Sequence, residues 1–338
     1  MKIPFRRKGV DEEELEKEAI PKSRRRRKKE APKPWGKTER FLVLGVLVST
    51  IAIAALLALN AREWKLPGLP RLSLPKGVFE QTYVFEGKRP ARDRGAIVDE
   101  FSKLTQDTSG VYGLYVISLN SDERYGVNED EPFQAASLMK LPVMAAMYSE
   151  HEKGNVGLDD IYTLRNEDKV GGSGGVFYQE AGTKYSYREL VSAMGQQSDN
   201  TAFNIAVQLL GEEFIQEYIK EVGMGSTSYE QNQTTPRDVG TFFKSLWQMK
   251  IVERASRDEI LKSLTGTIYE DHLAAGITDV RVAHKFGREV HVVNDAGIVF
   301  DENPYVLIIM SKGVVEAEAD KLIPELAASV NRFETAGK

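Results

Sequence analysis

Residues 91–338 carry strand-like runs at both ends and helix-like runs between them, and that order leaves few folds open. Gly110–Leu119 is rich in β-branched and aromatic residues, and Glu123–Val127 follows it across the turn Asn120-Ser121-Asp122. Far along the chain, Val280–Phe286, His291–Phe300 and Tyr305–Ser311 read as three more strands. Between these groups, helical spacing runs through Ser137–Lys153, Tyr187–Met194, Thr201–Leu210, Glu212–Val222, Pro236–Met249 and Ala255–Leu264. Ala91–Leu104 and Ala317–Arg332 are amphipathic helices outside the strands. Strands separated by a helical block must still pair. The pattern therefore predicts an α/β (α+β) fold: a five-stranded antiparallel sheet built from both ends of the domain, flanked by helices, with an inserted all-helical subdomain. Pro142 falls early in its helix and predicts a local irregularity there. Residues 156–185 read as loop, including Gly171-Gly172-Ser173-Gly174-Gly175, which lacks the GK[ST] context of a phosphate cradle.

The segment ahead of this domain is organised differently. Phe41–Leu59 is nineteen residues without a charge or a proline. At 1.5 Å per residue such a helix spans about 28 Å, close to the hydrocarbon core of a bilayer. Residues 1–40 hold fifteen Lys/Arg and eight Asp/Glu, a net +7, whereas the remainder holds thirty and forty-two, a net −12. The run Arg24-Arg25-Arg26-Arg27-Lys28-Lys29 therefore reads as a topology signal, with residues 1–40 a basic cytoplasmic tail, 41–59 a single-pass transmembrane anchor and the folded domain extracytoplasmic. A cleaved signal peptide and a buried soluble helix are the competing readings; a polar lead of forty residues and the lack of a polar face speak against them. Residues 60–90, with Pro67, Pro70 and Pro75, form a Pro-rich linker. Nucleic-acid binding through the basic run lacks any aromatic or groove-reading partner.

The chain has no cysteine, which removes disulfides and thiolate chemistry. Its four histidines, His151, His272, His284 and His291, show no metal-ligand spacing, so neither a metal nor a cofactor is expected. Chemistry is carried instead by Ser137 and Lys140. At positions i and i+3 of a helix start they lie on one face, a nucleophile beside a base. Two further elements follow in order, Ser198-Asp199-Asn200 between helices and Lys285-Phe286-Gly287 on a strand.

The set Ser137-x-x-Lys140, Ser198-Asp199-Asn200 and Lys285-x-Gly287 resembles the class A β-lactamases and the wider penicillin-recognising serine hydrolases, whose motifs are S-x-x-K, S-D-N and K-T-G. The resemblance extends to Gln197–Ala202 leading into a helix, to Thr234-Thr235-Pro236 before the next, and to Val282-Ala283-His284-Lys285 on a strand. It implies an acyl-enzyme on Ser137, with Lys140 as base, its proton affinity lowered by burial and by Lys285. It also implies Ser198 as proton donor to the departing nitrogen, Asn200 and Gly287 at the substrate, and the Arg288 backbone as an oxyanion donor.

Two departures from that pattern matter. The middle hydroxyl of K-T-G, which helps bind a substrate carboxylate, is Phe286, so carboxylate recognition either shifts elsewhere or is absent; Arg281 and Arg288 are candidates for it, and ordinary surface or strand charges are the competing reading of each. The E-x-x-x-N loop that supplies a deacylating base is replaced by the shorter Gly225–Gln233, in which Glu230 is the acid and a possible deacylation base. The expected substrate is a β-lactam, with slow turnover, or a peptidoglycan peptide of the D-Ala type. A non-catalytic wall- or partner-binding module is the reading from another class.

Overall fold

The computed structural model of the protein describes residues 93–336, together with Gly36 and Phe41. Those two apart, the expected tail, anchor and linker lie outside the described residues. Among the described residues no helix is long and apolar enough to cross a membrane.

Among the described residues nine strands form in chain order: β1 Val111–Ser118, β2 Arg124–Val127, β3 Phe133–Gln134, β4 Ile161–Thr163, β5 Lys184–Ser186, β6 Gln233–Thr234, β7 Val282–Glu289, β8 Val292–Val299 and β9 Tyr305–Lys312. The main sheet has the order β2-β1-β9-β8-β7, and every neighbouring pair is antiparallel. The two ends of the domain meet in its middle, where Val111 pairs with Lys312 and Ser118 with Tyr305. The mixed fold and antiparallel sheet expected from the sequence are therefore observed.

Period-two alternation sends the side chains of each strand to two cores. Tyr112, Leu114 and Val116 of β1, with Leu307 and Ile309 of β9, pack against Ile97 and Phe101 of the helix Arg94–Thr105 and against Leu322, Ile323 and Leu326 of the helix Glu316–Thr335. Tyr115, Ile117, Ile308 and Met310 face the other way, onto Phe242, Phe243 and Leu246 of the helix Pro236–Trp247 and onto the helical insert. Covered on both faces, β8 is buried along all eight residues.

The insert comprises the helices Lys140–Glu152, Tyr187–Gln196, Asn200–Leu210, Glu212–Glu221 and Arg254–Ser263. Their starts follow from local chemistry. Ser186 and Glu189 form a reciprocal capping box. Thr235 accepts from the Asp238 amide, and Pro236 sits in the first turn, where no donor is lost. The same logic absorbs Pro142, which lies in the first turn of its helix; the irregularity is instead a 3₁₀ turn, Ala136–Met139, directly ahead of it. The loop-rich stretch 156–185 also contains strand, because β4 and β5 pair with each other. The two-residue strands β3 and β6 pair as well. Neither small sheet shows in periodicity.

Candidate active site

Ser137 lies within the 3₁₀ turn, and Lys140 begins the α-helix. Side chains at i and i+3 eclipse in a 3₁₀ turn. Lys140 Nζ accordingly donates to Ser137 Oγ at 2.9 Å, and also to Asn200 Oδ1 at 2.8 Å. Ala136, just before the serine, holds φ +51°, a left-handed conformation that costs a residue with a Cβ about 1–3 kcal/mol. Gly287 of the edge strand β7 presses on the same turn. A Cβ there would stand 3.1 Å from the Ser137 amide nitrogen and 3.2 Å from the Ala135 carbonyl oxygen. The glycine lets strand and turn approach this closely.

A second pair stands opposite. Lys285 Nζ donates to Ser198 Oγ and to the Phe286 carbonyl oxygen, each at 2.9 Å. Ser198 is also left-handed, at φ +54°. Its neighbour Asp199 is fully buried and holds the turn, accepting from the amides of Ala202 and Val176 at 2.8 Å each. The glycine-rich loop, featureless in the sequence, is what cradles this turn. Ser173 accepts from the Asn200 amide through its carbonyl, Gly171 accepts from Asn200 Nδ2, and a Cβ at Gly174 would collide with the Asp199 carboxylate at 2.0 Å.

Burial decides the charges. Lys140, 3% exposed, is lowered to about 8 by desolvation, against the opposing pull of Asp199 and Glu289. Lys285, 1% exposed, is pushed well below the ordinary lysine range by desolvation and then by the charge of Lys140. Of the two causes expected for Lys140, burial is the one that acts on it, and the Lys140–Lys285 repulsion falls on Lys285 instead.

A cleft of about 400 Å³ opens over Ser137. It is lined by Lys140, Asn200 and Phe203, by Glu212 and Glu289, and by Tyr229, Glu230 and Asn232. The last three belong to the short Gly225–Gln233 stretch, a hairpin in which the Ser228 and Gln233 backbones bond each other. Asn232, at φ +48°, accepts from the Ala135 amide at 2.7 Å and so ties the hairpin tip to the Ser137 turn. Glu230 therefore lines the same cleft as Ser137. Glu289 does too, and nothing in the sequence had singled it out.

The fold and this geometry agree with what the chain matches. The model of the "Beta-lactamase enzyme family" matches residues 96–333. This chain belongs to that family. Beta-lactamase VEB-1 of Pseudomonas aeruginosa is 22% identical over 247 residues, 64% of this chain and 82% of that protein. The structure of PBP-A is 28% identical, covering 73% of this chain and 98% of PBP-A at a TM-score of 0.68; a mutant of PBP-A is known as an acyl-enzyme complex with penicillin G. The class A β-lactamase described as the last common ancestor of Gram-negative bacteria is 26% identical, covering 70% and 98% of the two chains at a TM-score of 0.66.

In this class A β-lactamase-like hydrolase both candidate arginines are engaged by other groups of the protein. Arg281 stacks its guanidinium 4.2 Å over Phe300. Six residues of strand, roughly 20 Å, separate it from Gly287. The Arg288 side chain is bound to Asp320 of the last helix. Phe286 turns to the face opposite Lys285 and stacks between His272, at 4.4 Å, and Tyr269, at 5.2 Å. Tyr269 belongs to no motif, yet its ring lies 6.0 Å from Lys285 Nζ and its hydroxyl 2.8 Å from Ser173 Oγ. His284, on the same face as Phe286, is structural: its Nδ1 lies 2.8 and 2.9 Å from the oxygens of buried Asp295. Among the described residues no group of His, Asp or Glu is placed to hold a metal ion.

Proposed function

We propose that the protein is a membrane-anchored, extracytoplasmic serine acyl-hydrolase that forms an acyl-enzyme on Ser137 with β-lactams. The observation that carries this reading is the placement of Lys140 Nζ between Ser137 Oγ and Asn200 Oδ1, buried enough for the amine to titrate at about 8. Ser137 Oγ attacks the carbonyl carbon as its proton passes to neutral Lys140. The 3₁₀ turn at Ser137 and the Arg288 backbone beyond Gly287 offer N–H groups to the developing oxyanion. The C–N bond then breaks as Ser198 Oγ gives its proton to the leaving nitrogen and takes one in turn from Lys285 Nζ, which donates to it. Water must finally attack the ester. Glu230, in the cleft wall, is the base assigned to that step.

The anchor rests on the uncharged run Phe41–Leu59 and on the basic residues before it, which place residues 1–40 in the cytoplasm. A second reading is favoured by the short hairpin: without an E-x-x-x-N loop the acyl-enzyme persists, as suits a peptidase on wall peptides.

One experiment tests the serine chemistry and separates its two readings. The full chain in detergent is mixed with a chromogenic cephalosporin and followed from milliseconds. A stoichiometric burst followed by turnover supports a β-lactamase, and a burst that stops at one equivalent supports the peptidase. Absence of any burst from folded protein overturns the serine reading and leaves a binding module.

A further inference from the structure

We propose that this enzyme selects acyl donors that carry a positive charge: the half of the cleft that receives the acyl group is walled by Phe203 and Tyr229 and rimmed by Glu212, Glu230 and Glu289, which together hold an ammonium. The substrate class is then an amide or β-lactam whose acyl side bears an amine. This deepens the serine-hydrolase reading and rests on it.

Position comes first. In the proposed reaction the leaving nitrogen lies at Ser198, to which Lys285 Nζ donates. The cleft of about 400 Å³ is lined by Ser137, Lys140 and Asn200, and neither Ser198 nor Lys285 lines it. It therefore lies on the acyl side of the scissile bond. What fills it is the part of the substrate that stays on Ser137.

Its chemistry is one-sided. Among the described residues Lys140 is the one base in the lining, and its Nζ is committed to Ser137 Oγ and Asn200 Oδ1. Asn200 Nδ2 is committed to the Gly171 carbonyl. Against them stand Glu212 at the start of the helix Glu212–Glu221, Glu230 in the hairpin and Glu289 at the end of β7. All three are exposed, and among the described residues none of their carboxylates has an ion-pair or hydrogen-bond partner. Carboxylates elsewhere do find partners: Arg237 binds Glu129 and Asp130, and Arg188 binds Asp159 and Glu259. Glu289 is close enough to the reacting atoms for its charge to reach Lys140.

A further observation is independent of the acids. Asn232, in the same wall, has a buried side-chain oxygen without a hydrogen-bond partner, an acceptor that a ligand N–H satisfies. Beside it the rings of Phe203 and Tyr229, 6.5 Å apart, cover the carbon atoms of the acyl group and attract a cation to their faces. An ammonium meets acceptors and ring faces, whereas a carboxylate on the acyl side meets like charge from three directions.

The test uses the full chain in detergent at about pH 6.5, where an α-amine is protonated. Ampicillin, penicillin G and carbenicillin are the probes. They share the bicyclic nucleus and its carboxylate, and their acyl groups carry an ammonium, no charge and a carboxylate. The readout is the acylation rate constant from mass spectrometry of the Ser137 adduct. An exposed charge pair changes an equilibrium by up to about fivefold, and three carboxylates act together here. The ampicillin-to-carbenicillin ratio is expected above about fivefold at low salt, with penicillin G between them, and it should fall severalfold in about 1 M NaCl. Glu289→Gln, an exposed position without side-chain partners, should cut the ratio about twofold or more. A wild-type ratio below about fivefold overturns the proposal, and so does a ratio that neither salt nor Glu289→Gln lowers. Absence of adduct from all three probes is a different failure: it removes the serine reading, and this inference with it.

Discussion

Strand β8 and the loops that meet at Ser137 are built by opposite rules. Every residue of β8 is buried, its backbone is extended, and its neighbours β7 and β9 satisfy it on both sides. The site loops instead hold Ala136, Ser198 and Asn232 at φ +51°, +54° and +48°. Relaxed geometry serves to hold a sheet. Strained geometry is kept only where neighbours enforce it, here Gly287 against the Ser137 turn and the glycine-rich loop against Asp199. Stability and chemistry are thus placed in different parts of one domain, and substitutions should separate them.

The largest expected effect belongs to the site alone. Ser137→Ala should lower covalent labelling by a fluorescent penicillin by about 10⁴-fold or more while leaving the melting temperature almost unchanged. Retained labelling would move the nucleophile elsewhere. On the sheet side, His284→Leu should cost on the order of 3–5 kcal/mol in urea unfolding, because Asp295 keeps a buried charge with its partner gone. The pH dependence has a definite sign. Burial opposes the charge of His284, but Asp295 and then Glu270 outweigh it and raise the group to about 10. A raised value stabilises fully below the ordinary histidine range and is lost as pH rises through about 10. The gap between wild type and variant should therefore be wider at pH 6 than at pH 10, and an equal gap would break the comparison.

A smaller effect returns to the site. If Lys140 takes the proton, acylation should fall about tenfold for each pH unit below about 8, opposite in sign to the His284 effect on stability, which weakens as pH rises. A flat profile from pH 6 to 8 would assign the proton to another group. The smallest effect tests strain itself. Ala136→Gly should leave stability equal or improved by up to about 1 kcal/mol, since glycine adopts positive φ freely, while acylation slows severalfold as the turn loosens. A clear loss of stability would show that the Ala136 Cβ packs more than it strains.

The sheet was legible in the sequence because its strands are long and β-branched, so periodicity alone places β1 and β7 to β9. The pairs Ser137–Lys140 and Ser198–Lys285 were legible through spacing and order. What escaped depends on tertiary contact. The left-handed Ala136 and Ser198 carry no local signal, since neither residue type prefers that conformation. β3 and β6 are two residues each and exist only because the hairpin tip docks beside Ser137. Glu289 reaches the cleft from the end of β7, two residues past the last motif, and Tyr269 reaches Lys285 and Ser173 from a segment without one. Arg281 and Arg288 looked available in sequence, and only the structure shows the ring and the carboxylate that engage them.

The pairing of β1 with β9 also sets when this domain is able to exist. The central ladder of the sheet joins Val111 to Lys312, so a loop of about 200 residues closes before either core has a floor. A ribosome that has delivered the whole helical insert has still not delivered a foldable sheet. The nascent chain stays unfinished until β9 is out, since the strand that completes the middle of the sheet is also the last one made among the described residues.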